Sequence, residues 1–303
     1  MTPSAETITR PRQPIPWGRI AAWTALVLML LITLFPFWWM LRTALTHPKA
    51  LFINPASLLP VQPTLINFQR VLGLVDVETA VALGGTGQTI NFMLALRNSI
   101  IVSVLVVVGQ VTFSAMAAYA FARLNFPLRN QIFALYVAAL MVPGVVMLLP
   151  NFILVRSLNL LNTFVGIVLP ALFMTPFAVF FLRQFFLGVN REVEEAALID
   201  GCDVPEVFFR IVIPMTIPAL TTLAVITFIT SWNNYLWPLV VGNKENVRVL
   251  TVALGVFRSQ TPQGAPDWTG LMAGTALSII PTFVLFLFMG RKILDSIQFT
   301  GFK

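Results

Sequence analysis

Six long stretches of this chain contain no Asp, Glu, Lys, Arg or His. A helix needs roughly 20 consecutive apolar residues to cross a hydrocarbon core about 30 Å thick, and each stretch is long enough to do so. The sequence therefore predicts an all-α membrane protein with six transmembrane helices. The predicted spans are residues 20–41, 99–120, 131–155, 163–182, 217–241 and 271–290.

Composition excludes several classes of protein. Only 10% of the 303 residues are charged and 57% are hydrophobic, whereas a soluble domain carries roughly 25% charged residues. Ion-coupled transporters and voltage sensors carry ionisable side chains inside their spans, and these spans have none. The same absence leaves no acid–base or metal site within the membrane, so we predict no catalytic residue, no metal and no cofactor.

The Lys and Arg residues indicate the orientation, because basic residues are retained on the cytoplasmic side of a membrane. With both termini in the cytoplasm, 11 of the 19 basic residues lie on that side. We therefore predict a cytoplasmic tail over residues 1–19, an extracytoplasmic loop over 42–98, and a core over 99–303 that carries the other five spans. The net charge of +7 reflects this orientation and does not indicate binding to nucleic acid.

Uncharged polar residues inside two spans are candidates for a transport pathway. Gln110 lies near the middle of the second span, and the fifth is interrupted by Trp232, Asn233, Asn234 and Tyr235. Amides beside aromatic rings suit a neutral polyhydroxylated solute, since amides bond hydroxyls and rings cover the apolar face of a sugar. Such side chains also join helices in lipid. Four consecutive residues cover most of a helix circumference, so we predict that one amide faces the pathway and the other a neighbouring helix.

The loop between the fourth and fifth spans, residues 183–216, holds six of the 12 acids in the chain. Asn190 is placed to cap a short helix and Gly201 to end it. Asp203 and Glu206 are spaced to form a capping box on a second helix. The sequence thus predicts a helix–turn–helix that lies outside the membrane.

The first of these two helices combines acids with small apolar residues. Glu192 and Glu194 match the positive end of its dipole. Val193, Ala196 and Ala197 have the i, i+3, i+4 spacing of one helix face, and alanines let a partner backbone approach closely. An acidic rim around a small apolar centre suits docking into a groove of another protein. The alternative is a solvated connecting loop.

One motif in this loop resembles a known family. Glu195-Ala196-Ala197 is followed after three intervening residues by Gly201, after nine more by Ile211, and after one more by Ile213-Pro214. This pattern is similar to the EAA loop of the membrane subunits of binding-protein-dependent ABC importers, with Ile213 where that family usually has Leu.

Further segments resemble the second permease subunit of carbohydrate importers of the maltose-transporter type. Two regions depart from that pattern: the outer loop over residues 73–92 is longer, and the tail over 300–303 differs from the glycine-rich end of the family. The matching segments are Pro63-Thr64-Leu65, Asn67-Phe68, Arg97-Asn98-Ser99, Tyr119-Ala120-Phe121-Ala122-Arg123 and Trp232-Asn233-Asn234-Tyr235.

The resemblance implies a set of partners. A second, related permease would complete a heterodimeric pore, two cytoplasmic ATP-binding subunits would hydrolyse ATP, and an extracytoplasmic protein would deliver the solute. This chain would itself not be an enzyme. In the family, the EAA loop is the coupling helix that sits in a cleft of the ATPase. By resemblance, that role falls on Glu195, Ala196, Ala197, Asp200 and Gly201.

Taken together, the residues and the resemblance predict a sugar permease subunit in the cell membrane of a prokaryote. One alternative within transport is a permease for a phosphorylated polyol or another anion. Anions would favour Arg or Lys along the path, and the charge-free spans argue against this alternative. A second alternative, from another class, is a membrane structural or assembly protein.

Overall fold

The computed structural model describes residues 17–87, 90–258 and 265–299. Most of the predicted cytoplasmic tail and the divergent tail at 300–303 lie outside these residues. Within the described ranges the chain is mostly helical and forms no strand. In chain order the helices are α1 (Trp17–Ala44), α2 (Ile66–Val71), α3 (Val77–Ala82), α4 (Phe92–Arg123), α5 (Arg129–Ala138), α6 (Leu148–Ser157), α7 (Phe164–Leu172), α8 (Pro176–Leu187), α9 (Arg191–Ile199), α10 (Val204–Val207), α11 (Ile213–Met215), α12 (Ile217–Trp232), α13 (Leu236–Val241), α14 (Leu250–Ala253) and α15 (Trp268–Phe299).

Short turns of other helical types join several of these elements. A π-helical turn links α10 to α11, so that the two form one continuous rod. Turns of 3-10 helix follow α1, α5 and α14 and precede α6. The π turn lies at Phe208–Val212, and the 3-10 turns lie at Pro48–Ala50, Ala139–Met141, Gly144–Met147 and Leu254–Arg258.

Candidate membrane spans are of two kinds. The straight helices α1, α4 and α15 are each long and apolar enough to cross a bilayer alone. Three more helix pairs reach that length only together: the α5 and α6 segments bend by 96°, α7 and α8 by 47°, and the α10–α11 rod and α12 by 79°. If each bent pair is one span, the described residues hold six, the number that the sequence predicts.

Prolines account for two of the bends. The residue before a proline avoids the helical conformation. Val142 and Thr175 are accordingly extended, immediately before Pro143 and Pro176. The side chain of Thr175 also accepts a hydrogen bond from the backbone N–H of Ala178 and thereby caps α8. Both breaks therefore follow from the local sequence.

The second span, α4, is the centre of the bundle and packs against α7, α8 and α12. Small residues at four-residue spacing allow the close approach to α8, and Ser114, Ala118 and Ala122 are all buried. Packing against α7 is tighter still, because a side chain at Gly109 would overlap Leu172. Helices in lipid associate through such small-residue contacts.

Residues of the loop 42–98 are anchored to the helix ends. The Asn67 amide donates to the backbone carbonyls of Ala44 and Thr46, both at 2.8 Å. Arg70 forms a buried ion pair with Asp267, which lies at the start of α15. The motif residue Asn67 therefore fixes the path of the chain as it leaves α1, and Arg70 fixes the loop to the last span.

The longer stretch over residues 73–92 contains α3. Asp76 caps this helix, and the hydrogen bond from the Thr79 backbone N–H lowers the pKa of the Asp76 carboxyl. Gly85 lies directly on the Arg70 guanidinium, where a Cβ atom would be 1.8 Å from Nη2. Gly85 and its neighbours in this stretch therefore pack over the ion pair at the start of α15.

Candidate functional site

A cavity of about 330 Å³ lies in the bundle between α4, α7, α8, α12 and α13. All of its lining side chains are uncharged. Nor does any place in the described ranges bring three His, Cys, Asp or Glu side chains together as metal ligands. The lining residues are Val102, Val106, Gln110, Ile167, Ala171, Thr175, Phe177, Ile226, Thr227, Thr230, Ser231, Asn234, Trp237 and Pro238.

The predicted fifth span is interrupted beside this cavity. Instead of one helix over residues 217–241, α12 ends at Trp232 and α13 begins at Leu236. Pro238 explains the interruption. Its nitrogen carries no hydrogen and its ring crowds the carbonyl four residues earlier, that of Asn234, which favours a break in the helix between the two residues. The four polar and aromatic residues thus end one helix and link it to the next, and the expectation that they encircle a helix does not apply.

The two amides of this link have different surroundings. Asn234 lines the cavity, and its backbone carbonyl accepts a hydrogen bond of 2.8 Å from Thr251 Oγ1. The Asn233 side chain turns back and donates to the carbonyl of Ile229 at 2.8 Å. We predicted a neighbouring helix as the partner of the second amide, and the structure shows its own helix instead. This difference arises because Asn233 is the C-cap of α12, where unpaired carbonyls are within reach.

The two aromatic residues of the link lie outside the cavity lining. Trp232 is buried, stacks on Phe228 with ring centroids 5.5 Å apart, and donates from Nε1 to the Ser278 carbonyl on α15. Tyr235 lies beside Gly255 of the last 3-10 turn. The aromatic ring that does line the cavity belongs to Trp237, whose Nε1 donates to the Ile167 carbonyl at 3.0 Å.

The sequence-based prediction named Gln110 and Asn234 in the polar lining but did not name Thr175, Thr227 or Thr230. Thr227, Thr230, Ser231 and Asn234 follow the i, i+3, i+4, i+7 spacing of one helix face, and all four line the cavity. This polar stripe was readable from helical periodicity.

Gln110 joins α4 to the bend between α7 and α8. Its amide nitrogen donates to Thr175 Oγ1 at 3.0 Å. Thr175 is the N-cap of α8, so the same hydroxyl oxygen holds the start of that helix. The structure thus brings together Gln110 and Asn234, two of the predicted pathway residues, on the wall of one cavity.

The acidic loop has the predicted local structure. Asn190 caps α9 by accepting a hydrogen bond from the Glu192 backbone N–H at 3.1 Å. Asp203 and Glu206 form a reciprocal capping box on α10. Gly201 has φ = +90°, a conformation that is cheap for glycine and strained for other residues. The predicted caps of both helices and the glycine turn between them are confirmed.

The faces of α9 differ from the prediction. Ala197 packs into the core beside Val207 and Phe208, whereas Ala196 is exposed. Consecutive residues on a helix point about 100° apart, and α9 turns Ala197 inward. Val193, Ala196 and Ala197 therefore do not form one exposed face. The residues that α9 and the following turn do expose are Arg191, Glu192, Val193, Glu195, Ala196, Leu198, Ile199, Asp200 and Gly201.

Glu194 is buried, although we assigned it only a dipole-matching role. Its Oε1 atom accepts a hydrogen bond of 2.7 Å from Nε of Arg123, the last residue of α4. Arg123 also donates from Nη2 to the Val189 carbonyl at 2.6 Å. The partners lie 71 positions apart in the chain, so helical spacing gave no signal for this ion pair.

A comparison with solved structures finds a chain of the same fold. The chain resembles a chain in the crystal structure of a bacterial ABC transporter involved in the import of the acidic polysaccharide alginate, with a TM-score of 0.75 and 22% sequence identity. The match covers 94% of this chain and 99% of the other. At this identity the likeness concerns the fold alone.

Curated relatives are similar over most of their length. The arabinooligosaccharides transport system permease protein AraQ of Halalkalibacterium halodurans is 38% identical over 206 residues, covering 68% of this chain and 72% of AraQ. The probable ABC transporter permease protein YurM of Bacillus subtilis is 32% identical, with 94% and 89% covered. The sn-glycerol-3-phosphate transport system permease protein UgpE of Salmonella typhi is 35% identical, with 88% and 92% covered.

A family assignment agrees with these relatives. Residues 110–296 match the family described as the binding-protein-dependent transport system inner membrane component. The matched range includes the cavity residues from Gln110 onward, the acidic loop and the last span. The chain therefore belongs to the family of inner membrane components of binding-protein-dependent transport systems.

Proposed function

We propose that this permease forms half of the translocation pathway for a neutral carbohydrate, and that the cavity beside Asn234 is part of that pathway. The observation that carries the proposal is the lining of the cavity, which is polar along one stripe and charged nowhere. A pocket of about 330 Å³ is at the lower end of ligand pockets, which span roughly 300–1,000 Å³. A second, related permease would supply the opposite wall.

Hydrogen-bond acceptors in the lining support a sugar over an anion as the solute. The Thr230 hydroxyl donates to the Ile226 carbonyl, and Thr175 Oγ1 accepts from the Gln110 amide. With its proton engaged, the Thr230 hydroxyl offers lone pairs to a solute. Sugar hydroxyls can donate to such acceptors, whereas phosphate oxygens only accept and would favour Arg or Lys. The lining therefore favours a polyhydroxylated neutral solute.

The names of relatives support carbohydrate or polyol transport without separating the two. AraQ is named for arabinooligosaccharides and UgpE for sn-glycerol-3-phosphate. A permease for a phosphorylated polyol is therefore the second candidate, favoured by the similarity to UgpE. Membership of a transport family sets aside a membrane structural or assembly protein, and it makes the chain a transporter component, not an enzyme.

Coupling to ATP hydrolysis would run through α9. Its outward side presents Glu195, Ala196 and Ile199, and Ile199 has 85% of its surface exposed. We place the two ATP-binding subunits against this side, with Asp200 and Gly201 completing the contact surface. Ala197 would act from beneath by fixing the helix to the core. Binding of ATP and of the loaded solute-binding protein would then favour one of two states of the permease pair.

The proposed orientation puts both termini and α9 in the cytoplasm. The family description and the apolar spans make the chain a multi-pass inner membrane protein. The distribution of basic residues supports the side chosen for each loop. In this orientation α2, α3 and α14 lie on the outer face, where the solute-binding protein would dock.

Paired substitutions at the two amides test the pathway. Asn234→Ala removes the cavity amide, and we expect uptake of a neutral oligosaccharide to fall about fivefold, because one hydrogen bond to solute contributes about 1 kcal/mol. Asn233→Ala is the matched control, since that amide only bonds its own helix. Both variants are compared with the native importer at equal amounts of detergent-extracted complex, using labelled neutral oligosaccharides and labelled sn-glycerol 3-phosphate.

Two outcomes would contradict the proposal. Uptake of sn-glycerol 3-phosphate by the native importer, in the absence of oligosaccharide uptake, would favour the second candidate. Unchanged uptake by the Asn234→Ala importer would remove the cavity from the pathway.

A further inference from the structure

The ion pair between Arg123 and Glu194 joins two elements that the proposed function treats separately. Arg123 ends α4, a span that lines the cavity, and Glu194 lies in the first turn of α9. The guanidinium makes a fork: Nε donates to Glu194 Oε1 at 2.7 Å and Nη2 donates to the Val189 carbonyl at 2.6 Å. One side chain of α4 therefore holds both the turn that leads into α9, at Val189, and the first turn of α9 itself, at Glu194.

Burial sets this pair apart from an ordinary surface contact. Both side chains have only 8% of their surface exposed. The ion pair between Arg210 and Glu206 in the same loop has side chains that are 74% and 40% exposed. Exposed pairs are weak and mobile, whereas buried charges persist only in a fixed, fully bonded geometry. The relative position of α9 and α4 is thus specified at this point.

The pair gives a short mechanical route from α9 to the cavity. Gln110 lies 13 residues before Arg123 on the same helix, and at 1.5 Å per residue the two are about 20 Å apart. Gln110 bonds Thr175, which also lines the cavity. A displacement of the Arg123 end of α4 therefore reaches that hydrogen bond through one continuous helix.

The opposite side of α9 remains available to a partner. Glu194 and Ala197 point inward, three residues apart, while Glu195, Ala196 and Ile199 are exposed. A protein that docks on the exposed side would move α9 without competing for Glu194. The two sides of this nine-residue helix thus serve two different contacts.

We propose that Arg123 and Glu194 are positioning residues that transmit the movement of α9 to α4 when ATP-binding subunits engage the loop. The proposal rests on the proposed function, since it requires α9 to be the docking element. It assigns the pair a role beyond holding the fold. The hydrophobic cluster of Ala197, Val207 and Phe208 already anchors α9.

A double substitution separates transmission from folding. Arg123→Met with Glu194→Met replaces the ion pair by apolar side chains of similar length, which buried sites commonly tolerate. Arg123→Lys keeps the charge opposite Glu194 but loses the fork to the Val189 carbonyl. Arg210→Met is the matched control, because it removes an exposed ion pair from the same loop.

Accessibility of the cavity provides a readout that needs no knowledge of the solute. Cys202 is the single cysteine of the chain, so Cys202→Ser together with Thr230→Cys places one thiol in the cavity. The complete importer is reconstituted into liposomes. An impermeant maleimide is added to the outer face, and the rate at which it labels the thiol at position 230 is measured with and without a non-hydrolysable ATP analogue. Co-purification reports binding of the ATP-binding subunits.

We expect the nucleotide to change the labelling rate by about fivefold or more with the native pair and with Arg210→Met, and by less than about twofold with the double Met variant. ATP-binding subunits should co-purify in all three. An equal nucleotide response in the double Met variant would overturn the role of the pair. If that variant fails to assemble, Arg123→Lys decides: a full response refutes transmission, and a reduced response with normal co-purification supports it.

The same experiment distinguishes failure of the proposed function from failure of the role assigned to Arg123 and Glu194. If the native pair shows no nucleotide response, and Gly201→Val leaves co-purification of the ATP-binding subunits unchanged, then α9 is not the docking element and the coupling itself is wrong. A native response that the double Met variant retains contradicts only the role of Arg123 and Glu194.

Discussion

Gly109 offers a direct test of the close packing between α4 and α7 beside the cavity. A Cβ atom at this position would lie 2.4 Å from Leu172 Cδ1 and 2.6 Å from the Leu172 carbonyl oxygen. The side chain of Leu172 can rotate, but its carbonyl belongs to the backbone at the end of α7. Gly109→Ala therefore forces the two helices apart.

The expected magnitude is the balance of two effects. Overpacking of a core costs about 1–3 kcal/mol, and a backbone collision belongs in the upper half of that range. Replacing glycine by alanine within a helix returns about 1 kcal/mol of helix propensity. The net destabilisation is then about 1–2 kcal/mol, or a fall of roughly 2–8 °C in the unfolding midpoint by the usual scaling.

Thermal unfolding of the purified complex in detergent measures this effect. Gly18→Ala is the matched control, because Gly18 is also helical and has no atom within 4 Å of the added Cβ position. That variant should unfold at or slightly above the native midpoint. An unfolding midpoint of Gly109→Ala at or above the native value would refute the close packing of α4 on α7.

Two other predictions concern the acidic loop and the orientation of the chain. Gly201→Val should reduce ATP-dependent uptake without preventing membrane insertion, because a β-branched residue at φ = +90° is strained by about 1–2 kcal/mol. Gly201→Asn should retain more uptake than Gly201→Val. Equal uptake by the two variants would contradict the backbone argument. In a Cys202→Ser background, Ala56→Cys should react with an impermeant thiol reagent in intact cells and Ile199→Cys should react only after permeabilisation; the reverse pattern would overturn the orientation.

The number of spans and the ends of α9 could be read from the sequence because each depends on neighbouring residues. A charge-free window of roughly 20 residues requires no knowledge of the fold. Caps at Asn190 and Asp203 act within three positions, and Gly201 acts on its own backbone. Local rules of this kind hold whatever fold the rest of the chain adopts.

The break inside the fifth span was harder to predict from the sequence, because two local signals favour different structures. The charge-free run continues to residue 241, which favours one long helix. Pro238 acts against the carbonyl of Asn234 and breaks that helix four residues earlier. Hydropathy alone cannot register the break, because proline at this position hardly alters the mean hydropathy of the window.

The inward face of α9 could not be derived from the sequence at all. Val193, Ala196 and Ala197 satisfy helical spacing for one face, and Glu194 with Ala197 satisfies it for another. The choice depends on Arg123, which approaches from a different span and supplies the partner for a buried carboxylate. A nine-residue helix with small residues on several sides has no preferred inward face until a distant residue provides one.

The distribution of charge in the described residues connects these observations to the energetics of transport. Buried ion pairs lie at both ends of the bundle, Arg70 with Asp267 and Arg123 with Glu194, and the cavity between them is uncharged. A charged side chain at the centre of a membrane helix costs at least about 2.5–3.5 kcal/mol. The cavity wall avoids that cost by using hydroxyls and amides, and for the same reason its lining has no ionisable group that could carry a coupling proton. In the proposed function the energy for uphill transport comes from ATP-binding partners, and of the two buried pairs in the described residues only Arg123 with Glu194 connects a cavity-lining span to a helix with an exposed side.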